Sequence, residues 1–243
     1  MSNYLVEILQ RKRLEVENLP MPKSFKEVLQ QDGLSIIAEI KRKSPSKGVF
    51  KGLMDPVEQA KKYIAGGAQA ISVLTDETGF GGSLQDLKRV VEAFPNVPVL
   101  RKDFIIDLRQ LYETARSGAH AVLLIVAALG EELPAFLQAA KEYGLEALVE
   151  VHDLEELKMA QNAGAEIIGV NNRNLSSFEI SLETAEKIAP HFAEGVVRIA
   201  ESGIKNTEDA ARMRKAGYHA VLVGEALVLS EHPQSLIEEM RRC

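Results

Sequence analysis

Residues 146–172, EALVEVHDLEELKMAQNAGAEIIGVNN, hold the pattern that decides the fold. The stretch 146–151 is close to continuously apolar rather than strictly alternating, as a parallel strand covered on both faces would be. Residues 154–163 then carry apolar side chains at helical spacing, and Gly164-Ala165 stops them. A glycine just past a helix end takes the left-handed conformation cheaply, because it has no Cβ. A second apolar run, 167–172, follows at once. Strand, helix, glycine stop, strand is a βα unit.

Working outward, the unit recurs. Strand-like runs fall at 35–41, 70–75, 98–104, 121–127, 146–151, 167–172, 196–202 and 220–224. Helical stretches lie between them at 55–64, 131–143, 154–163, 182–188 and 207–216. The first opens on Asp55-Pro56, an N-cap followed by proline at the first helical position, and Thr207 is read as the cap of the last. Small-residue stops recur at Gly66-Gly67, Gly118-Ala119, Gly144, Gly164-Ala165 and Ala216-Gly217. Eight such units in 243 residues predict an α/β chain folded as one (β/α)8 TIM barrel. An open doubly wound sheet is the runner-up, and no G-x-G-x-x-G follows the first strand to support it. Residues 1–33 precede the barrel as an N-terminal helical extension. There Tyr4, Leu5, Ile8 and Leu9 share one helical face, Pro20 and Pro22 end it, and Ser24 to Glu27 reads as a capping box. This piece fits a plug under the barrel and a lid over it equally well.

Composition narrows the class. The chain is 46% hydrophobic and 26% charged, ordinary for a globular protein and unlike a disordered one. Its 29 Lys and Arg against 35 Asp and Glu give a net charge of −6, which argues against a dedicated nucleic-acid surface. The lone Cys243 excludes an internal disulfide framework and a cysteine-built metal site. The longest apolar run, 121–129, falls short of the ~20 residues a membrane span needs. The N-terminus acquires charges too early for a signal peptide, so a soluble protein of the cytoplasm is expected.

Chemistry enters where the barrel should be apolar. Active sites of these barrels sit at the C-terminal strand ends. Here those ends carry Glu39 and Lys41 (first), Lys102 (third), Glu150 (fifth), Asn171 and Arg173 (sixth), and Glu201 and Ser202 (seventh). An unpaired charge buried there costs several kcal/mol, so a ring of them points to a polar substrate pocket. Lys41, Lys102 and Arg173 are read as cations facing Glu39, Glu150 and Glu201. A lysine among other cations and apolar walls would have its ammonium form disfavoured, and a carboxylate in an apolar setting would hold its proton longer. Ser202-Gly203-Ile204 and Gly224-Glu225-Ala226 follow the strands where such barrels hold a phosphate.

Several longer stretches are similar to those of the indole-3-glycerol phosphate synthase family. They are IAEIKRKSPSKG (37–48), VLTD (73–76), VLRKDFI (99–105), LVEVH (148–152), GVNNRNL (169–175) and ESGI (201–204). The resemblance implies closure of an indole ring with loss of carbon dioxide and water, without cofactor or metal. It implies Lys102 as general acid, Glu150 as stabiliser of a cationic intermediate and acid/base group, and Glu39 with Lys41 in a later dehydration. Asn171, Glu201 and Ser202 would complete the polar ring, supported by Arg173. Phosphate would rest on backbone groups near Gly203, Gly224 and Glu225, helped by Ser44, while Phe80, Phe104 and Leu175 line an aromatic pocket. The expected partner is a phosphorylated small molecule, with no nucleic acid and no membrane, acting on a monomer. One departure is Ala226, where the family often has serine.

Other readings carry less. The basic run 41–47 is expected to be a mobile loop over the phosphate, and His152 to point outward from its loop. His120, His191, His219 and His232 lack metal-ligand spacing. A sister barrel, phosphoribosylanthranilate isomerase, would need an early cysteine that is absent here. A catalytically dead scaffold would be expected to have lost one of Glu39, Lys41, Lys102, Glu150 or Glu201, and all five are present.

Overall fold

Eight strands carry the architecture: β1 (Ser35–Ile40), β2 (Ala70–Leu74), β3 (Val99–Lys102), β4 (Ala121–Ile125), β5 (Glu146–Val151), β6 (Ile167–Asn171), β7 (Val197–Glu201) and β8 (Ala220–Val223). The computed structural model describes residues 3–17, 23–44, 48–50, 55–174 and 177–243, apart from the side chains of Asn3, Glu17 and Ser44. Each strand pairs in parallel with the next, and β8 returns to β1 through Ser35↔Ala220 to Ala38↔Val223, so the sheet closes. The expected (β/α)8 barrel is what the chain forms.

Side chains two apart on a strand share a face, and this period sorts the core into two. Ile36, Ala38, Val73, Val99, Val149 and Ile168 face the surrounding helices. Ile37, Leu100, Leu148 and Ile199, from β1, β3, β5 and β7, face inward. Two residues further along the same four strands stand Glu39, Lys102, Glu150 and Glu201. Such barrels ordinarily fill each inner layer with four bulky apolar side chains from alternate strands. Here the layer above the apolar one is three carboxylates and an ammonium.

The bottom is sealed by a short helix, α2 (Phe25–Leu29, after α1 at Asn3–Glu17). Phe25, Val28 and Leu29 join the inner core. The Glu146 carboxylate, at the start of β5, fixes the entry to α2: it accepts from Ser24 Oγ at 2.9 Å, from Lys26 N at 3.0 Å and from Phe25 N. Of the two placements left open for the N-terminal extension, α2 is therefore the plug. In α1, by contrast, Tyr4, Leu5 and Leu9 are exposed, so its apolar face is not buried on the barrel. Pro20 and Pro22 lie outside the described residues.

The strand expectations hold within a residue or two, with one difference of kind. The run 121–127 leaves extended structure at Ile125, and Val126–Leu129 turns helical, in keeping with the alanines at 127 and 128. The helix after β7, Thr207–Lys215, is capped by Asn206 rather than by Thr207: Asn206 is extended and its side chain accepts from Asp209 N. The glycine stops behave as read, with Gly67, Gly118, Gly144, Gly164 and Gly217 at φ between 72° and 93°. No helix of the described residues is long and apolar enough to cross a membrane.

Phe25→Ala is expected to lower the unfolding free energy by about 3–5 kcal/mol in urea titrations, the cost of emptying a fully buried aromatic site. A loss under about 1 kcal/mol would show that α2 is not part of the core.

Candidate active site

All eight strands contribute at their C-terminal ends to one cavity of about 710 Å³. Its floor is the charged layer. Lys102 Nζ lies 3.1 Å from Glu150 Oε2 and 3.2 Å from Glu201 Oε2, so one ammonium bridges two carboxylates from β5 and β7. Lys41 Nζ sits 2.9 Å from Glu39 Oε1, as expected for residues two apart at a strand end. Asn171 Nδ2 donates to Glu150 Oε1 at 3.1 Å. All of these side chains are buried or nearly so, with Glu150 and Glu201 each 2% exposed.

The layer fits because neighbouring strands give way. A Cβ at Gly169 on β6 would collide with the Glu201 carboxylate, and one at Gly224 after β8 would meet Glu39 and, at 2.9 Å, Lys41 Nζ. Glu201 Oε1 lies against Gly169 with no hydrogen-bond partner among the described residues.

The electrostatics correct one expectation. Lys102 is not a lysine among cations whose ammonium is disfavoured. Burial alone would act that way, but the charges of Glu150, Glu201 and Glu39 outweigh it and hold its pKa above the ordinary lysine value. The carboxylates divide. Burial disfavours the charged form of Glu150, yet Lys102, His152 and Asn171 overcome this and push its pKa well down. Burial dominates at Glu201, where the nearby charges of Glu150 and Glu39 add to it against Lys102, and its pKa is pushed up to about 7. Two carboxylates on one lysine thus differ in protonation near neutrality, which is how a site separates acid from base.

His152 is the second correction. It does not point outward: its Nε2 lies 3.3 Å from Glu150 Oε1 and its Nδ1 2.9 Å from Glu156 Oε2. The sequence could not show that Glu156, on the next helix, turns back to meet it.

The rim joins expected site residues to four that sequence reasoning gave no site role: Asn172, Arg101, Asp76 and Arg42. Ser202 and Gly203 both have positive φ, 62° and 85°. The serine conformation is a mildly strained one. Asn172 steadies it, its Nδ2 donating to Glu201 O at 3.1 Å and Ser202 O at 3.2 Å. Arg101 faces away from the cavity on β3 and donates to Thr75, Thr114, Glu113 and Asp103, bracing the backbone on both sides of Lys102. Phe80 and Phe104 stand together at the mouth with ring centroids 6.4 Å apart. Asp76 positions Phe80 by accepting from Gly79 N and Phe80 N. Arg42, in the basic run, donates to Asp86 and to Gly81 O at 3.0 Å, tying the loop after β1 to the loop after β2.

Of the expected site residues, Glu39, Lys41, Phe80, Lys102, Phe104, Glu150 and Asn171 border the cavity, as do Arg173, Glu201, Ser202, Gly203, Gly224 and Glu225. Arg173 is at the rim, its guanidinium directed to Phe178 O at 3.5 Å, rather than in the floor with the carboxylates. Leu175 and residues 45–47 of the basic run lie outside the described residues, as does the Ser44 side chain. Gly224 opens the short helix Glu225–Leu229 with no side chain capping its first turn.

A family model described as indole-3-glycerol phosphate synthase matches residues 5–240. A protein of that name from Chlorobium limicola is 48% identical to this chain, covering 93% of it and 95% of its own length. Another from Listeria welshimeri is 45% identical, covering 98% of each. Among solved structures, a thiamine phosphate pyrophosphorylase from Pyrococcus furiosus superposes with a TM-score of 0.65 at 19% identity, covering 88% of this chain and 96% of that one. A 3-hexulose-6-phosphate synthase gives 0.65 at 16% identity, covering 86% and 99%. Those two likenesses are of fold alone.

The raised Glu201 pKa fixes the sign of a pH effect. Between the ordinary 4.5 and about 7 the folded chain keeps a proton that the unfolded chain releases, so this group's stabilising contribution is lost as pH rises. Glu201→Gln carries no such ionisation. Its unfolding free energy relative to the parent is expected to rise between pH 5 and pH 8 by roughly 3 kcal/mol, at ~1.4 kcal/mol per pH unit. A difference independent of pH in denaturant titrations would show that Glu201 is not held protonated.

Proposed function

The chain belongs to the indole-3-glycerol phosphate synthase family, and from that membership we propose how its own residues close the indole ring. The substrate is 1-(2-carboxyphenylamino)-1-deoxyribulose 5-phosphate, and the products are indole-3-glycerol phosphate, carbon dioxide and water. The observation that carries the reading is Lys102 held at 3.1 and 3.2 Å from Glu150 and Glu201 on the cavity floor.

The substrate's phosphate lies over the backbone at Ser202-Gly203 and the uncapped turn at Gly224-Glu225, where peptide N–H groups suit an anion. Its aromatic ring enters between apolar walls that include Phe80 and Phe104. The ring carbon bearing the carboxylate attacks the ketone carbon, and the ketone oxygen takes a proton from Lys102. That ammonium stays charged throughout the working pH range, so the donor is in its right form when alkoxide character develops. The ring system then carries positive charge, which Glu150, kept ionised, stabilises. Carbon dioxide leaves with its bonding pair returning to the ring. Dehydration follows: the hydroxyl departs with a proton, and a base takes a proton from the neighbouring carbon. Glu39 and Lys41 serve that step, with Lys41 also gripping an anionic part of the substrate. Glu201, whose pKa lies near neutrality, can return or accept a proton beside Lys102. Asn171 holds Glu150 in place from β6.

The same reading takes residues 1–243 as one barrel unit, a decarboxylating lyase working as a cytoplasmic monomer without nucleic acid. Following the fluorescence of the indole product tests it. Lys102→Ala is expected to reduce kcat by about 10²- to 10⁴-fold, the usual contribution of a positioned proton donor. Glu150→Gln should lower kcat while leaving KM nearly unchanged, since it acts on charge that develops during reaction. Full turnover by Lys102→Ala would falsify its role as the acid.

A further inference from the structure

Glu150 is gripped from two sides. On the cavity side it meets Lys102 and Asn171. Behind it stands a pair that the reaction scheme does not use. His152, two residues further along the strand path, presents Nε2 at 3.3 Å to Glu150 Oε1, an ion-pair contact rather than an aligned hydrogen bond. Glu156, in the helix Leu154–Asn162, accepts from His152 Nδ1 at 2.9 Å and from the His152 backbone N at 2.8 Å through the same oxygen. One carboxylate therefore fixes both the ring and the chain that carries it. The His152 side chain is 13% exposed and does not border the cavity.

We propose that His152, braced by Glu156, is a positioning residue: as an imidazolium it holds the Glu150 carboxylate ionised and turned toward Lys102. The reasoning is chemical. Glu150 lies almost out of water, where a carboxylate needs counter-charge to stay ionised. Lys102 supplies part of that counter-charge, and it also stands 3.2 Å from Glu201. The charged groups facing the imidazole are Glu150 near the end of β5 and Glu156 on the following helix, both acidic. Lys102 and Glu201 face Glu150 from the far side. Burial works against the imidazolium, yet its two acidic neighbours prevail and push its pKa up to about 10. An outer carboxylate orienting an imidazole, which in turn orients the working group, is the logic by which enzymes fix tautomer and direction.

The inference rests on the assignment of Glu150 to charge stabilisation in ring closure, and the test separates the two. The parent chain is first shown to turn over the carboxyphenylamino-deoxyribulose phosphate; failure there would overturn the activity itself. Given turnover, His152→Ala is expected to lower kcat about tenfold or more with KM changed less than threefold. His152→Gln, which keeps a donor near the Nε2 position, should recover part of the loss. Glu156→Gln should bring the imidazolium's titration down, so that kcat acquires a fall with rising pH between pH 6 and 9 in addition to the parent's own profile. Nuclear magnetic resonance of the His152 ring in the unsubstituted protein supplies a reading independent of folding in the variants. The ring should stay charged across pH 6 to 8.5. A ring that titrates near 6.5, or a His152→Ala variant with the parent's kcat and pH profile, would overturn the proposal while leaving the ring-closing activity standing.

Discussion

The Lys102 ammonium is counter-charge to Glu150 and Glu201 at once, and without it the inner layer would set like charges against each other in a nearly dry space. Two unit charges a few ångströms apart interact by about 4 kcal/mol even at an effective dielectric constant near 20. The barrel balances the layer with three devices. Lys41 answers Glu39; Lys102 and His152 share Glu150; and Glu201, left with the poorest share, keeps its proton to about pH 7. The protonation pattern of the site is thus a consequence of how few cations are available, not of any one residue's chemistry.

That arrangement depends on rigid supports that never touch the cavity floor. Arg101 points the other way from Lys102 and ties the strand end to the helix behind it. Asn172 does the same for β7 from the neighbouring strand end, linking Glu201 O, Ser202 O and Ala185 N. Beneath, α2 closes the barrel against water, and the Glu146 carboxylate that fixes α2 lies on the strand that ends in Glu150 and Val151. Alternate side chains of each strand divide this work: one parity makes the site, the other anchors it to the helices.

Most of the fold was legible because parallel strands covered on both faces leave continuous apolar runs, and because a glycine is needed where a helix turns back. The polar members of the site were legible for a related reason: Glu39, Glu150 and Glu201 interrupt apolar stretches near strand ends, and Lys102 stands at the matching strand end between Arg101 and Asp103. What escaped depended on proximity between strands. That Glu201 and Glu150 share a single lysine, and so reverse the expected electrostatics of Lys102, is not written along either strand. His152 looked like a loop residue because its partner, Glu156, reaches it only through the geometry of a helix start. Asn206 and Thr207 are both good caps, and only the backbone conformation chooses between them. For α1, the apolar face was visible, but its exposure was not.

Gly169 and Gly224 make a different kind of contribution. They add nothing that reacts, yet each is a vacancy reserved on an even-numbered strand, or just beyond one, for a charge that grows from an odd-numbered neighbour. The charged groups and the hollows that admit them are therefore matched in position. An added methyl at 169 or 224 would force the Glu201 or Glu39 carboxylate to shift, although no acidic or basic residue had been altered.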